Sequence, residues 1–222
     1  MKVYALWHKE NGYKYRWRTL LQFGTSWDII GSVYMKNPGS AFPIADPDGN
    51  ALAHLKDLSN SIEWKEFDWK KDKSIACVKS LFQEYYAKPP MNGKLNGVIQ
   101  IFNLFNLRNA KLTSALKKLK AGGCNPQYVH TFKEDLSNLH FPVYLGWGDL
   151  WDNSYFKNYR PAIEAIFNKA KDSALNQGKK WPLTNMLNAP ENHFFHPQFF
   201  CLHPHSADDA VEAEKKAFLA MI

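Results

Sequence analysis

The chain has 222 residues, enough for one substantial domain, and its 45% hydrophobic residues indicate a globular protein. It carries 28 Lys and Arg against 21 Asp and Glu, a net charge of +7 that fits a polyanionic partner without specifying one. No run approaches the ~18 apolar residues of a spanning helix and no signal peptide is visible, so we expect no membrane association.

The three cysteines, Cys77, Cys124 and Cys201, lie far apart and form no C-x-x-C pair. Their spacing therefore predicts neither a disulfide framework nor an iron–sulfur cluster. This usage is typical of a reducing compartment, and we expect a cytoplasmic protein.

Residues 1–26 are predicted to form an N-terminal antiparallel hairpin. Lys2–Trp7 and Tyr13–Phe23 read as strands on either side of Asn11-Gly12, which is a strong signal for a tight hairpin turn.

A buried strand is predicted over Ile29–Met35, and it ends abruptly at Asn37-Pro38-Gly39. Pro38 fixes its own φ and Gly39 can adopt a positive φ, as a type II turn requires. The turn alone is an ordinary one, but in open α/β sheets this edge is where ligands bind.

Helical and strand patterns alternate through the rest of the chain. Residues 62–69 mix both periods and could be an inserted strand or a surface aromatic segment. The predicted helices are Asn50–Leu58, Asp72–Ala87, Ala110–Leu119, one from Pro161 to Gly178 and one after Ser206; the predicted strands are Val98–Phe102, Phe141–Leu145 and Phe199–Leu202. This alternation predicts a single α/β domain over residues 1–222, with a central, mostly parallel sheet flanked by helices.

Four predicted strands end in polar or glycine-rich segments, namely M-K-N-P-G-S-A, V-I-Q-I-F-N-L-F, V-Y-L-G-W-G and F-F-C-L-H-P-H-S. In this order they resemble the motifs of the uracil-DNA glycosylase superfamily. The first is most similar to the mismatch- and single-strand-type enzymes, and the last to the classical uracil and single-strand-type enzymes. The resemblance spans residues 28–210, although its specific matches are confined to these four segments, and a similar pattern recurs in uncharacterised bacterial and phage proteins.

The resemblance implies a uracil-DNA-glycosylase-like fold and a monofunctional DNA N-glycosylase. Such an enzyme flips out a uracil or modified base, including a hypermodified one, and hydrolyses its glycosidic bond to leave an abasic site. It implies DNA as the partner, no cofactor and no metal. A monomer in a prokaryotic or phage-encoded setting is expected, with roles in base excision or phage defence.

The catalytic candidates follow from the charge that develops when the bond breaks. Asn37 can orient a water through its amide oxygen, and His203 can donate to the departing base. Asp46 and Asp48 lie in the same loop as Asn37 and, as true carboxylates, are alternative water activators.

Base and DNA contacts are assigned to the same segments. Asn103 offers donors and an acceptor for a base edge, and Phe42 a ring for stacking. The other candidates are Pro38 and Gly39 for base binding, Lys36, Ser40, His205 and Ser206 for DNA binding, and Trp147 and His196 for lining the pocket. Lys36 and His205 depart from the family pattern and are compatible with a modified or bulky base.

Simpler interpretations stay open for each residue. Asn103 alone is typical of a turn or cap, and Trp147 alone of packing. Five potential zinc ligands, His193, His196, Cys201, His203 and His205, also crowd together, but without the spacing of a known zinc motif.

Two other functions compete with the glycosylase. One is a non-catalytic recognition module for modified DNA, and the other an enzyme acting on free modified nucleotides. A basic face near Asn37 and His203 would favour DNA, whereas an enclosed pocket without such a face would favour a small nucleotide.

Overall fold

The computed structural model describes residues 1–59, 61, 63–70, 72–148, 150, 153–179, 215–216 and 218–220. The strands are β1 (Lys2–Glu10), β2 (Tyr13–Phe23), β3 (Ile29–Met35), β4 (Pro43–Ala45), β5 (Trp64–Phe67), β6 (Gly97–Asn103) and β7 (Val143–Gly146). The α-helices are α1 (Gly49–Leu58), α2 (Lys73–Ala87), α3 (Leu112–Lys120), α4 (Pro126–Val129), α5 (Phe132–Asn138) and α6 (Arg160–Leu175), the last preceded by a 3-10 turn over Ser154–Tyr159.

The seven strands form one mixed sheet in the order β4-β5-β1-β2-β6-β3-β7. Strand β3 runs parallel to both of its neighbours, β6 and β7, whereas the other four pairings among the described strands are antiparallel. The predicted α/β class and N-terminal hairpin are therefore confirmed, but a mostly parallel sheet is not. The hairpin pairs directly with β6, and β5 and β4 follow beyond it, which makes four of the six described strand pairings antiparallel.

The hairpin turn has the geometry that its sequence predicts. Asn11 and Gly12 adopt φ values of 47° and 80°, as the two central residues of a type I′ turn must. The hairpin nevertheless lies inside the sheet, so it is an integral part of the domain's core.

Strand β2 contains a one-residue irregularity at Arg18, whose φ is 42°. The pairing with β1 shifts there, between Tyr4 and Leu6. As a result, Trp17 and Leu20 pack into the same core cluster, although residues three apart in a regular strand face opposite sides.

The sheet is covered on both faces, which confirms the predicted flanking helices. On one face α2 packs Ile75, Val78 and Phe82 against the strands. Helices α1, α3 and α6 cover the other face, with residues such as Leu55, Leu119 and Ile166 buried there.

Several element boundaries differ from the sequence expectations. The segment over residues 62–69 contains strand β5, and the helix predicted from Ala110 begins at Leu112. Helices α4 and α5 were not predicted, because each is too short for a helical period to emerge. The predicted strand Phe199–Leu202 lies outside the described residues.

The cysteines differ from the expectation that their spacing predicts no disulfide framework. Cys77 in α2 is disulfide-bonded, whereas Cys124 carries a free thiol. The three cysteines lie far apart in the sequence and form no C-x-x-C pair, so their spacing carries no signature from which this bond could have been predicted.

The described part of the chain includes no helix of the length and apolar character needed to cross a membrane.

Candidate functional site

The carboxyl ends of three parallel strands meet at one edge of the sheet. In the parallel register Met35 of β3 pairs with Asn103 of β6 and with Gly146 of β7. The segments that follow Met35 and the side chain of Asn103 therefore belong to adjacent strand ends, and this is the edge at which α/β sheets bind ligands.

A small cavity of about 10 Å³ opens at this edge, which is room for about one water molecule. It brings together three sequence-predicted residues, Asn37, Pro38 and Asn103. The remaining lining residues are Arg16, Thr19, Met35, Asp72, Ser74, Ile75 and Ile101. Because a base is much larger than a water molecule, its entry requires the lining side chains to move apart.

Asn103 is the most unusual residue of this cavity. Its side chain is only 1% exposed, and neither Oδ1 nor Nδ2 has a hydrogen-bond partner among the described residues. A buried polar group left unpaired costs about 1–3 kcal/mol, so native proteins retain few of them. The amide therefore presents a donor and an acceptor side by side to whatever occupies the cavity.

Arg16 enters the cavity from the central strand β2 and is only 4% exposed. Its Nη2 donates to the carbonyl oxygen of Pro38 and lies 3.5 Å from Oδ2 of Asp72. Within the described part of the chain, Nε and Nη1 have no hydrogen-bond partner. Burial lowers the pKa of the Arg16 guanidinium, and the nearby Asp72 carboxylate acts in the opposite direction. The guanidinium is thus a buried, incompletely satisfied cation beside Asn103.

Asp72 is the carboxylate that lines this cavity. Its Oδ1 accepts hydrogen bonds from the backbone N–H groups of Ser74 and Ile75, at 3.1 and 3.3 Å, and so caps the start of α2. Sequence reasoning treated Asp72 only as the beginning of a helix and missed Arg16 altogether. The available signal was a charged residue between Tyr15 and Trp17 in a strand of mainly aromatic and apolar residues.

The turn after β3 is held from two sides. Asn37 donates through Nδ2 to the backbone oxygen of Asn109 at 3.2 Å, which leaves its Oδ1 as an acceptor. Gly39 adopts a φ of 68°, the left-handed value expected for the third residue of the predicted type II turn. Pro38 is anchored by its hydrogen bond with Arg16.

The two other predicted water activators lie elsewhere. Asp48 caps α1 by accepting from Ala51 N–H at 2.8 Å, and it also pairs with Lys2 at 2.9 Å. The hydrogen bond from Ala51 is the main reason that the pKa of Asp48 is lowered. Asp46 pairs with Lys65. Neither carboxylate lines the cavity, because the chain turns away from Asn37 into β4.

Four further predicted residues do not line the cavity. Lys36 accepts a backbone hydrogen bond from Phe105 at 3.4 Å. Ser40 and Phe42 lie on the surface around Arg108, whose guanidinium stands 3.5 Å from the Phe42 ring centre. Trp147 is fully buried and packs edge-on against Tyr34.

The last motif falls outside the described residues. This applies to His196, His203, His205 and Ser206, and to the possible zinc ligands His193 and Cys201. Within the part of the chain that is described, no three His, Cys, Asp or Glu side chains lie close enough to hold a metal ion.

The described site thus combines two amides, a guanidinium and a carboxylate around one cavity. Such a set can bind a planar polar group through its edge and can stabilise negative charge on it. Comparison of the chain with protein-family models, curated proteins and solved structures gives no match.

Proposed function

We propose that the protein is a DNA glycosylase that flips out a uracil or a modified, including hypermodified, base and hydrolyses its N-glycosidic bond. The observation that carries this proposal is Asn103 at the end of β6, a buried amide that none of the described residues hydrogen-bonds. It faces the same cavity as Asn37, and both belong to motifs that resemble the glycosylase superfamily.

The proposed chemistry assigns a separate task to each group. Asn103 would pair with the edge of the flipped base, since one amide can donate to a carbonyl and accept from a ring N–H. Oδ1 of Asn37 would orient the attacking water. The partnerless Nε and Nη1 of Arg16 would donate to the base as negative charge develops on it, and His203 is retained as a second donor from the sequence resemblance.

Asp72 replaces Asp46 and Asp48 as the alternative water activator. A carboxylate is a stronger base than the Asn37 amide, and Asp72 lines the same cavity. Its oxygens are engaged by two backbone N–H groups and by Arg16, so movement of Arg16 toward a bound base would free Oδ2.

One observation favours the non-catalytic recognition module instead. The two carboxylates nearest Asn37 in the sequence are committed to a helix cap and to ion pairs, which leaves a neutral amide in that loop. An enzyme acting on free modified nucleotides would need the same movement of the lining side chains to admit the base. Both alternatives retain Asn103 as the reader of the base.

The test offers oligonucleotides that carry uracil, hypoxanthine, or hydroxymethylated and glycosylated pyrimidines, together with the corresponding free nucleotides. We expect alkali-labile abasic sites with at least one oligonucleotide, and a loss of orders of magnitude in rate for Asn37→Ala. Binding without cleavage across the whole panel would establish the recognition module, and release of base from free nucleotides alone would establish the third function.

A matched pair of variants separates the two water activators. If Asn37 orients the water, Asn37→Ala loses most of its rate while Asp72→Asn retains the greater part. The reverse result would assign water activation to Asp72. Asp72→Asn keeps an oxygen for the helix cap but removes the counter-charge of Arg16, so its rate is compared under conditions in which urea unfolding shows the variant to be folded.

A further inference from the structure

A second, larger concavity lies beside the candidate site. It is a surface cleft of about 310 Å³ between the β1–β2 turn, the turn after β3, the segment that precedes α3 and the last turn of α3. Its lining residues are Gly12, Tyr13, Lys14, Ser40, Leu107, Arg108, Asn109, Ala110 and Lys118.

The charge of this cleft is entirely positive. Lys14, Arg108 and Lys118 come from three separate segments, and none of the described residues that line the cleft is acidic. No described carboxylate forms an ion pair with any of the three. An anion in the cleft would be attracted by all three cations.

The cations at the mouth of the cleft are held in place. Arg108 donates through Nε to the backbone oxygen of Ala41 at 3.1 Å, and through Nη2 to that of Ser40. The exposed ring of Phe42 lies under both Arg108 and Lys14, with Lys14 Nζ 4.5 Å from the ring centre. Aromatic rings interleaved with fixed cations are a feature of surfaces that bind single nucleic-acid strands.

The cleft lies next to the cavity that contains Asn103, although the two share no lining residue. Asn109 lines the cleft and accepts the hydrogen bond from Asn37, which lines the cavity. Ser40 follows the turn residues Pro38 and Gly39 and also lines the cleft. A strand lying in the cleft would therefore pass alongside the turn that forms one wall of the cavity.

We infer that this cleft binds the sugar–phosphate backbone of a nucleic-acid strand, with Lys14, Arg108 and Lys118 contacting its phosphates. Cations from three segments around an open cleft suit successive phosphates of a chain better than a single phosphate group. The inference rests on the proposed function only in identifying where the bound strand leads, because the binding itself requires no excision.

The test compares Lys14→Gln/Lys118→Gln with Lys56→Gln/Lys169→Gln as a matched control. Each double variant removes two positive charges from the net +7, and the control lysines are exposed on α1 and α6 outside the cleft. Arg108 is left in place because it holds the Ser40–Ala41 backbone. Binding of a fluorescent 12-nucleotide single strand is followed by anisotropy at several salt concentrations.

Loss of two phosphate contacts should make the negative slope of log K against log salt shallower by about 1.4. It should also weaken binding about 25-fold at ~0.1 M salt. The control variant should keep the wild-type slope, and millimolar inorganic pyrophosphate or free nucleotide should displace little of the strand. An unchanged slope in the cleft variant, or efficient displacement by a free nucleotide, would overturn the inference.

The same samples distinguish this inference from the proposed function. If no oligonucleotide yields abasic sites but the cleft variant loses its salt dependence, the cleft is a strand-binding surface and the glycosylase proposal fails. If excision occurs while the cleft variant binds like wild type, the glycosylase stands and the strand follows another path.

Discussion

Replacement of Asp135 by Asn should change how the stability of the protein depends on pH. Asp135 is buried, and it accepts hydrogen bonds from Tyr34 Oη at 2.6 Å and from Thr131 Oγ1 at 3.0 Å. Burial raises the pKa of Asp135 to about 8, although both hydrogen bonds act to lower it. Asn has the size and the neutral charge of the protonated acid, so Asp135→Asn removes the titration with little change in packing.

The direction of the stability change with pH follows from whether the folded or the unfolded chain holds the proton. Between pH ~4 and ~8 the folded protein keeps a proton on Asp135 that the unfolded chain has released. The stabilisation is complete below pH ~4 and is lost as the pH rises through 8. The slope of this loss is at most about 1.4 kcal/mol per pH unit.

His130 opposes this effect over part of the range. Its ring lies between Leu104 O and Tyr155 Oη, at 2.8 and 3.0 Å, and burial lowers its pKa to about 4. Its stabilisation is therefore complete above pH ~6.5 and is lost as the pH falls toward 4. The slopes of His130 and Asp135 cancel between pH ~4 and ~6.5, and above that only Asp135 contributes.

The assay is urea unfolding of both proteins at closely spaced pH values. From pH 6.5 to 8 the wild type should lose up to about 2 kcal/mol relative to Asp135→Asn, which is 1.5 pH units at the slope given above. Below pH 6.5 the variant alone should become less stable as the pH falls, because His130 is then no longer balanced. Parallel profiles of the two proteins from pH 5 to 8 would refute this reasoning.

Two predictions concern the cavity itself. Asn103→Leu should leave the free energy of unfolding unchanged or raise it by about 1 kcal/mol, because it removes an unpaired amide. The same substitution should abolish base recognition. A loss above ~2 kcal/mol in urea unfolding would instead assign Asn103 a structural role. Asp72→Ala should cost about 3 kcal/mol or more, since Arg16 loses its counter-charge and α2 its cap. Asp72→Ser should recover about 1 kcal/mol by restoring the cap, and a total loss below ~1 kcal/mol for Asp72→Ala would contradict a stabilising ion pair.

Local sequence patterns were enough to predict many of the strands and helices. Ile29–Met35 was predicted with the bounds that β3 has, because turn residues follow a short apolar run. The Asn11-Gly12 turn could also be predicted, because these two residues by themselves specify the backbone geometry of the turn. The sequence could not show that the hairpin would pair with β6, because strand partners are selected by packing over long sequence distances.

The same limit explains the candidate site. Asn37 and Asn103 were found because each stands at the end of a strand that is recognisable by itself. Arg16 and Asp72 are 56 positions apart and meet only through the tertiary fold. Asp46 and Asp48 were selected for closeness to Asn37 in the sequence, and strand β4 leads the chain away from it.

The extra residue of β2 at Arg18 bears on how such a site could change over evolution. It lets one strand place Arg16 in the cavity and Arg18 on the opposite face, where Arg18 donates to Gln100 and Asn138. Deletion of a single residue there would direct both guanidinium groups to the same face of the sheet. Either the cavity or the site formed by Gln100 and Asn138 would then lose its cation. A change in strand length by one codon, without any change of fold, could therefore alter the chemistry that the cavity selects.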